Sequence, residues 1–237
     1  MTYEHYPPKS AFNKNTSFYS IAHDEYLSNF KNFHTGQKIQ SKIFQGGLGG
    51  YCLCEECNNF LGTNYVKDYV KIAKIFYSAL QQDEPFKCMR LKLKKSDVNL
   101  FYFIKQIVAI FICCNDVWFT ETYPELLEFV RKKESKFLDP KFRFYLYLND
   151  EGELRNGVFN ITNLHGEICE FVFPPFGLVL NINNSNTLEG IAEITSFKNY
   201  EDFPDVDLFF NLNKYPTYSP VPLDFRTKEE INSSFLE

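Results

Sequence analysis

The chain has 237 residues with a formal net charge of −5, and 44 % of the residues are hydrophobic. This length accommodates one large domain or a small module joined to a second one, and the hydrophobic content argues against global disorder. The acidic balance argues against strong non-specific binding to a phosphate backbone. Any nucleic-acid binding would therefore need a local basic patch or a partner protein that supplies a basic surface.

Cysteine usage and the N-terminal sequence indicate a reducing compartment. The seven cysteines are an odd number, and no charged and then apolar stretch opens the chain. We therefore expect a cytoplasmic protein with reduced thiols. The most apolar stretch, residues 100–114, contains Lys105 and Gln106 and is shorter than a membrane span, so it predicts a buried core helix and no membrane partner.

The first sixty residues predict little regular structure. Residues 39–44 and 51–53 could form short strands, with the glycine pairs 46–47 and 49–50 turning the chain between them. A clear amphipathic helix follows, because apolar residues recur at helical spacing while lysines and an aspartate fill the other face. The residues of the apolar face are Tyr65, Tyr69, Ile72, Phe76 and Leu80.

The middle of the chain predicts a strand and two more helices. Residues 89–93 form a short basic run of alternating character, which favours a strand. Ser96 and Asp97 are good capping residues for the apolar helix that ends near residue 114. A further helix is expected to open near residues 122–124, where a proline suits the first turn.

After residue 140 the hydrophobic period changes from helical spacing to two. Residues 142–148 alternate apolar and polar side chains, which is typical of a half-buried strand. Strand-like runs recur at residues 158–162, 168–173, 176–182, 191–197 and 206–212. Short runs separated by turn residues predict a mostly antiparallel sheet, and helices followed by such a sheet predict an α+β fold.

Two short fragments carry most of the chemistry that the sequence offers. The letters EHYPP at residues 4–8 place an acid and an imidazole just before a double proline, and CEECNN at residues 54–59 has the spacing of a zinc knuckle. In this order, and with a later Gly62 and Tyr65, they resemble the HNH nuclease (ββα-metal, treble-clef) superfamily and its bacterial members above all. The proline-rich stretch at residues 219–226 is similar to the end of the same proteins.

The resemblance implies a divalent-metal-dependent nuclease. In that family, a histidine at the end of the first strand activates water, and an ion beside it stabilises the charge that develops on the phosphate. Transferred to this chain, His5 is the general base, Asn58 is the helix residue of the metal site, and Glu4 is a metal ligand or an orienting group. The implied catalytic cofactor is Mg²⁺ or Mn²⁺, the implied partner is nucleic acid (DNA rather than RNA), and the implied setting is bacterial phage defence.

The cysteines of the second fragment suggest a structural zinc ion. Cys54 and Cys57 have the required spacing and Cys52 could be a third ligand. The fourth ligand would have to come from His34, His23 or Cys88, because the chain has no upstream Cys-x-x-Cys. The alternative is that these cysteines pack as small apolar residues under the helix that follows.

The resemblance also implies a fold and leaves a second function open. It predicts an HNH-like ββα module with its following helix at residues 1–82, and a helical segment with an antiparallel sheet domain at residues 83–237. The asparagine expected a few residues before Cys54 is replaced by glycines. A catalytically degenerate module that binds a protein or nucleic acid is therefore the alternative. In the tail, Asp224 and Arg226 could hold an extended strap through an ion pair.

Overall fold

The computed structural model describes residues 1–14, 16–21, 23–35, 37–81, 87–162, 165–184, 186–202 and 207–234. Their strands and helices follow in chain order as β1 (Thr2–His5), β2 (Ser17–Ser20), α1 (His23–Ser28), α2 (Phe30–His34), β3 (Lys42–Gln45), β4 (Gly49–Leu53), α3 (Glu55–Asn64), α4 (Val66–Leu80), β5 (Cys88–Lys94), α5 (Leu100–Cys114), α6 (Val117–Thr122), α7 (Pro124–Arg131), β6 (Phe142–Leu148), β7 (Arg155–Thr162), β8 (Gly166–Phe173), β9 (Phe176–Ile182), β10 (Ala192–Glu193), β11 (Asp207–Asn213) and α8 (Lys228–Ser233). Short helical turns lie at Lys9–Asn13, Lys95–Asp97 and Thr195–Asp202. The mixture of helices with antiparallel sheets confirms the coarse α+β prediction.

Strands β3 and β4 form close to the predicted positions, but they do not pair with each other. β3 pairs antiparallel with β2, and β4 pairs antiparallel with β1 so that Glu4 lies opposite Gly50. Gly46 and Gly47 both adopt positive φ angles, which side chains disfavour, and carry the chain from one two-stranded ladder to the other. The glycines thus connect two separate ladders instead of closing one hairpin.

The largest sheet has the strand order β10-β6-β9-β8-β7, with every neighbouring pair antiparallel. β5 and β11 form a separate ladder; residue 206, predicted to begin that strand, lies outside the described residues. The predicted strand at 191–197 is wrong beyond Glu193, because a 3₁₀ stretch takes its place. A spacing of three places Phe197 and Tyr200 on one side of such a helix, and both are buried.

Helix α5 is the centre of the core. All of its residues except Tyr102 and Cys114 are buried, which confirms the predicted core helix, and it packs against α4, α7 and the sheet. Its N-terminal cap is Asn99, whose side-chain oxygen accepts from the Tyr102 N–H at 3.1 Å, and not the predicted Ser96 and Asp97. Among the described helices, none has both the length and the apolar character that crossing a membrane requires.

The one lysine inside α5 is buried and binds the end of another helix. The ammonium of Lys105 donates to the carbonyls of Phe129 in the last turn of α7 and of Lys132 and Ser135 just beyond it. It also lies 4.0 Å from the centre of the Phe129 ring. The last carbonyls of a helix lack hydrogen-bond donors within that helix. The Lys105 ammonium provides such donors and thereby joins the end of α7 to the core.

A buried ion pair holds the C-terminal segment on the sheet. The guanidinium of Arg155 pairs with Glu170, and both side chains are fully buried. Arg155 also donates to the carbonyls of Ser219 (2.7 Å) and Asp224 (2.7 Å), while Glu170 accepts from the backbone N–H of Leu223 at 3.2 Å. The predicted strap, residues 219–226, is therefore fixed from β7 and β8.

Candidate functional site

The two sequence fragments meet in a strand–strand–helix unit. β1 ends at His5, β4 lies antiparallel beside it, and Cys54 leads from β4 into α3. The side chain of Cys54 caps this helix by accepting from the Cys57 N–H at 3.3 Å. Capping starts the helix at Glu55 and so places Asn58 in its first turn, directly over β1.

Asn58 contacts two residues of β1. Its side-chain amide donates to the Thr2 hydroxyl at 3.2 Å and lies close enough to the Glu4 carboxylate to lower the pKa of that group. Burial raises the pKa of Glu4 by more than Asn58 and the charge of Lys9 lower it. The structure therefore brings Glu4 and Asn58 together in a partly buried position. The charge of Lys9 has less influence on the pKa of the Glu4 carboxylate than burial does.

His5 lies on the other face of β1. Successive side chains of a strand point to opposite faces, and the His5 ring packs edge-on against Tyr3 at 5.0 Å, away from the Glu4 face. Its Nε2 hydrogen-bonds to the Gly46 carbonyl at 3.1 Å. Burial lowers the pKa of His5, so the neutral imidazole is favoured. A neutral ring whose Nε2–H donates to a carbonyl leaves Nδ1 as an acceptor.

A buried asparagine fixes the loops beside His5. The Asn13 amide nitrogen donates to the carbonyls of Pro7 and Leu48, both at 2.7 Å, and its oxygen accepts from the Leu48 N–H at 2.7 Å. It thereby ties the segment after β1 to the segment before β4. Sequence reasoning missed Asn13, because a loop asparagine gives no periodic signal and its partner Leu48 lies 35 residues away.

Gly47 is required where it stands. Its φ is +103°, and an added Cβ would lie 2.2 Å from the Asn13 carbonyl oxygen and 3.2 Å from the His5 ring. A side chain would therefore push the loop away from both residues. The glycine pair, interpreted from the sequence only as a turn, lets the Gly46 carbonyl reach the imidazole.

The three cysteines predicted as zinc ligands do not form one group. Cys54 and Cys57 hydrogen-bond to each other at the start of α3, which lowers the pKa of the exposed Cys54 and raises that of Cys57. Cys52 instead contacts Cys113 of α5 in the interior. The chain thus brings two of the three thiols together.

The residues proposed as a fourth zinc ligand are engaged or exposed elsewhere. The His34 ring hydrogen-bonds to the Tyr26 hydroxyl at 3.1 Å, and Cys88 is exposed at the start of β5. The side chain of His23 lies outside the part of the structure that is described. Within the described ranges, no three His, Cys, Asp or Glu side chains are grouped so that they could hold a metal ion.

No family model, no curated protein and no solved structure gives a significant match to this chain.

Proposed function

We propose that the chain is an HNH-type nuclease that depends on a divalent metal ion. The observation that carries the proposal is the contact between Glu4 and Asn58 in the strand–strand–helix unit, on the strand that ends at His5. The oxygen atoms of this pair lie on one face of the strand end, and a neutral imidazole whose orientation is fixed by a backbone carbonyl lies on the other. Metal-assisted hydrolysis of a phosphodiester can use oxygen ligands to hold the ion and an imidazole as general base.

The chemistry of the Glu4–Asn58 pair fits Mg²⁺ or Mn²⁺. Both side chains offer oxygen atoms, and Mg²⁺ is commonly held by one or two carboxylates together with water and substrate phosphates. A cation would also offset the burial that raises the pKa of Glu4. When bound, such an ion supplies a positive charge that polarises the phosphate and stabilises the leaving oxygen.

His5 serves as the general base in this proposal. Glu4 and His5 are consecutive residues at the end of β1, so a phosphate above the strand end would have the Glu4–Asn58 pair on one side and the imidazole on the other. The Gly46 carbonyl holds Nε2, and Nδ1 accepts the proton of the attacking water. Asn13 and Gly47 are positioning residues, because they fix the loop that carries this carbonyl.

The described cysteines fit a structural zinc ion less well than the Glu4–Asn58 pair fits Mg²⁺ or Mn²⁺. A structural zinc ion takes four ligands, and the described residues bring together the thiols of Cys54 and Cys57. Zinc at this position therefore stays a prediction, and metal analysis of the purified protein tests it. The proposed cleavage mechanism involves none of these cysteines.

A catalytically inactive binding module is the second candidate. The observation in its favour is that His5 and Asn58 lie on opposite faces of β1, which separates the imidazole from the helix residue. The net charge of −5 agrees with this candidate too, because a free-standing nuclease benefits from a positive field. The two candidates differ in whether His5 is needed for phosphodiester cleavage.

Cleavage of plasmid DNA and of RNA in Mg²⁺ or Mn²⁺ tests the proposal. Replacing a general base costs about 10²–10⁴-fold in rate, so His5→Ala should lose cleavage by that factor while His165→Ala, in a distant turn, keeps it. Asn58→Ala should shift the Mg²⁺ dependence to higher concentration, because one oxygen donor is lost. Equal activity of wild type and His5→Ala, or no activity in either, contradicts the nuclease and favours the binding module.

A further inference from the structure

A cavity opens where the N-terminal segment meets the first residues of β7. Its volume is about 550 Å³, within the range of about 300–1,000 Å³ that small-ligand pockets occupy. Apolar residues that line it include Phe18, Tyr26, Phe33, Leu48, Leu154 and Val158. The cavity is therefore large enough for a planar ring system, and much of its wall is aromatic.

The cavity adjoins the loop that holds the candidate base. The Leu48 side chain lines the cavity, while its backbone is bound to Asn13 and to the Tyr6 N–H. Leu48 follows Gly46 by two residues, and the Gly46 carbonyl orients His5. A ligand in the cavity would thus contact the loop that orients His5.

Polar groups at the rim are suited to the edge of a nucleobase. Glu153 and Asn156 both line the cavity, and both are exposed along the entrance to β7. A carboxylate accepts from an exocyclic amine such as that of cytosine, and an amide can both donate to and accept from adenine. Tyr26 and Phe33 pack edge-on at 5.2 Å, which gives the apolar wall a fixed shape.

The N-terminal segment on one side of the cavity differs in charge from the rest of the chain. Residues 1–54 contain five lysines and three acidic residues, which gives this segment a net charge of +2. Because the whole chain has a net charge of −5, the remaining residues carry −7. The five lysines are all exposed: Lys9, Lys14, Lys31, Lys38 and Lys42. The N-terminal segment, which includes one side of the cavity, thus carries a small positive balance, although its lysines do not line the cavity, whose charged lining residue is Glu153.

We propose that this cavity takes an unpaired nucleobase next to the phosphate that is cleaved, so that the substrate is single-stranded nucleic acid or a duplex with an extruded base. The proposal rests on the proposed function in that it assumes a nucleic-acid partner. A base paired within a helix cannot enter a cavity of this kind, because its faces are stacked and its edge is occupied. An unpaired base offers both its faces and its edge to aromatic and polar side chains.

Binding measurements without metal and in the His5→Ala background separate this proposal from catalysis. The probes are a short fluorescent single strand and the duplex of the same sequence, measured by anisotropy. The test variant is Ser20→Trp, because Ser20 lines the cavity and a large ring there would fill it. Ser17→Trp is the matched control, because Ser17 is exposed on the same strand but does not line the cavity.

We expect the single strand to bind more tightly than the duplex. Ser20→Trp should weaken its binding about tenfold, since stacking of one base is worth about 1–3 kcal/mol, while Ser17→Trp stays within about twofold. Equal binding of both probes, equal effects of the two variants, or no binding of either probe overturns the proposal. Selective binding without cleavage would leave the cavity assignment intact and contradict the nuclease. Cleavage with no preference for unpaired substrate would do the reverse.

Discussion

Two buried polar groups fix two different parts of this molecule, and they do so by different means. Asn13 is a neutral amide that joins the loops beside His5 through three hydrogen bonds to backbone groups. Arg155 and Glu170 form a buried ion pair between β7 and β8. This pair holds the C-terminal strap through hydrogen bonds to its backbone. The first arrangement serves the candidate site and the second serves the sheet.

The difference between them concerns the cost of losing one partner. Loss of a neutral amide leaves uncharged backbone groups without partners, whereas loss of one member of a buried ion pair leaves an uncompensated charge, which costs more. We therefore expect the strap to tolerate substitution far less than the loop does. The loop should show its importance in cleavage and not mainly in stability.

Arg155→Met should give the largest effect. It leaves the Glu170 carboxylate buried without its cation, so the free energy of unfolding should fall by about 3–5 kcal/mol in urea titrations followed by circular dichroism. Arg131→Met, on the exposed face of α7, is the matched control and should change stability by less than about 0.5 kcal/mol.

The double variant Arg155→Met/Glu170→Leu sharpens this prediction. Removing both charges abolishes the unpaired carboxylate, so part of the lost stability should return. A single variant within about 1 kcal/mol of wild type would contradict the importance of the pair. So would a double variant that is less stable than the single one.

Asn13→Ala should have a smaller effect on stability and a larger one on the site. The loss of its hydrogen bonds to Pro7 and Leu48 should cost about 2 kcal/mol, because buried backbone groups lose their partners. Cleavage should fall at temperatures where the protein remains folded, since the loop that orients His5 is released. Cleavage at the wild-type rate would show that Asn13 serves stability alone.

Asp224→Asn should have the smallest effect. Asp224 pairs with Arg226 at 2.7 Å, which lowers the pKa of Asp224 from 3.8 to about 2. Because the folded-state pKa is depressed, the contribution is present above about pH 4 and is lost as the pH falls toward 2. We expect a loss below about 1 kcal/mol at pH 7. The difference from wild type should shrink between pH 4 and pH 2 in urea titrations, and a constant difference would contradict the pairing.

Local patterns predicted the elements that depend on local chemistry. The spacing of Tyr69, Ile72 and Phe76 predicted α4, and these residues are buried as expected. The alternation after residue 140 predicted β6, although the strand is buried on both faces and not half-buried as expected. Each of these signals lies within a few residues of the structure that it predicts.

Partners distant in sequence were beyond such patterns. The pair Asp224–Arg226 was predicted and is confirmed, yet the strap is fixed by Arg155, which lies 64 residues before Ser219. Likewise, β3 pairs with β2 and β4 pairs with β1 instead of with each other, and no local sequence pattern connects the strands of either pair. Contacts of this kind exist only once the chain has folded, and so the candidate site is defined by Asn13 as much as by the two fragments.

The contact of Lys105 with α7 has a consequence for the order in which structure can form. The last turn of α7 receives its hydrogen-bond donors from α5 and from the Tyr65 hydroxyl, which donates to the Val130 carbonyl at 2.8 Å. A peptide spanning residues 124–135 should therefore fray at its end in isolation. In the whole protein, amide hydrogens of that turn should exchange with solvent only when α5 itself separates from the core. Helix α7 and α5 would then behave as one cooperative unit in native-state hydrogen exchange.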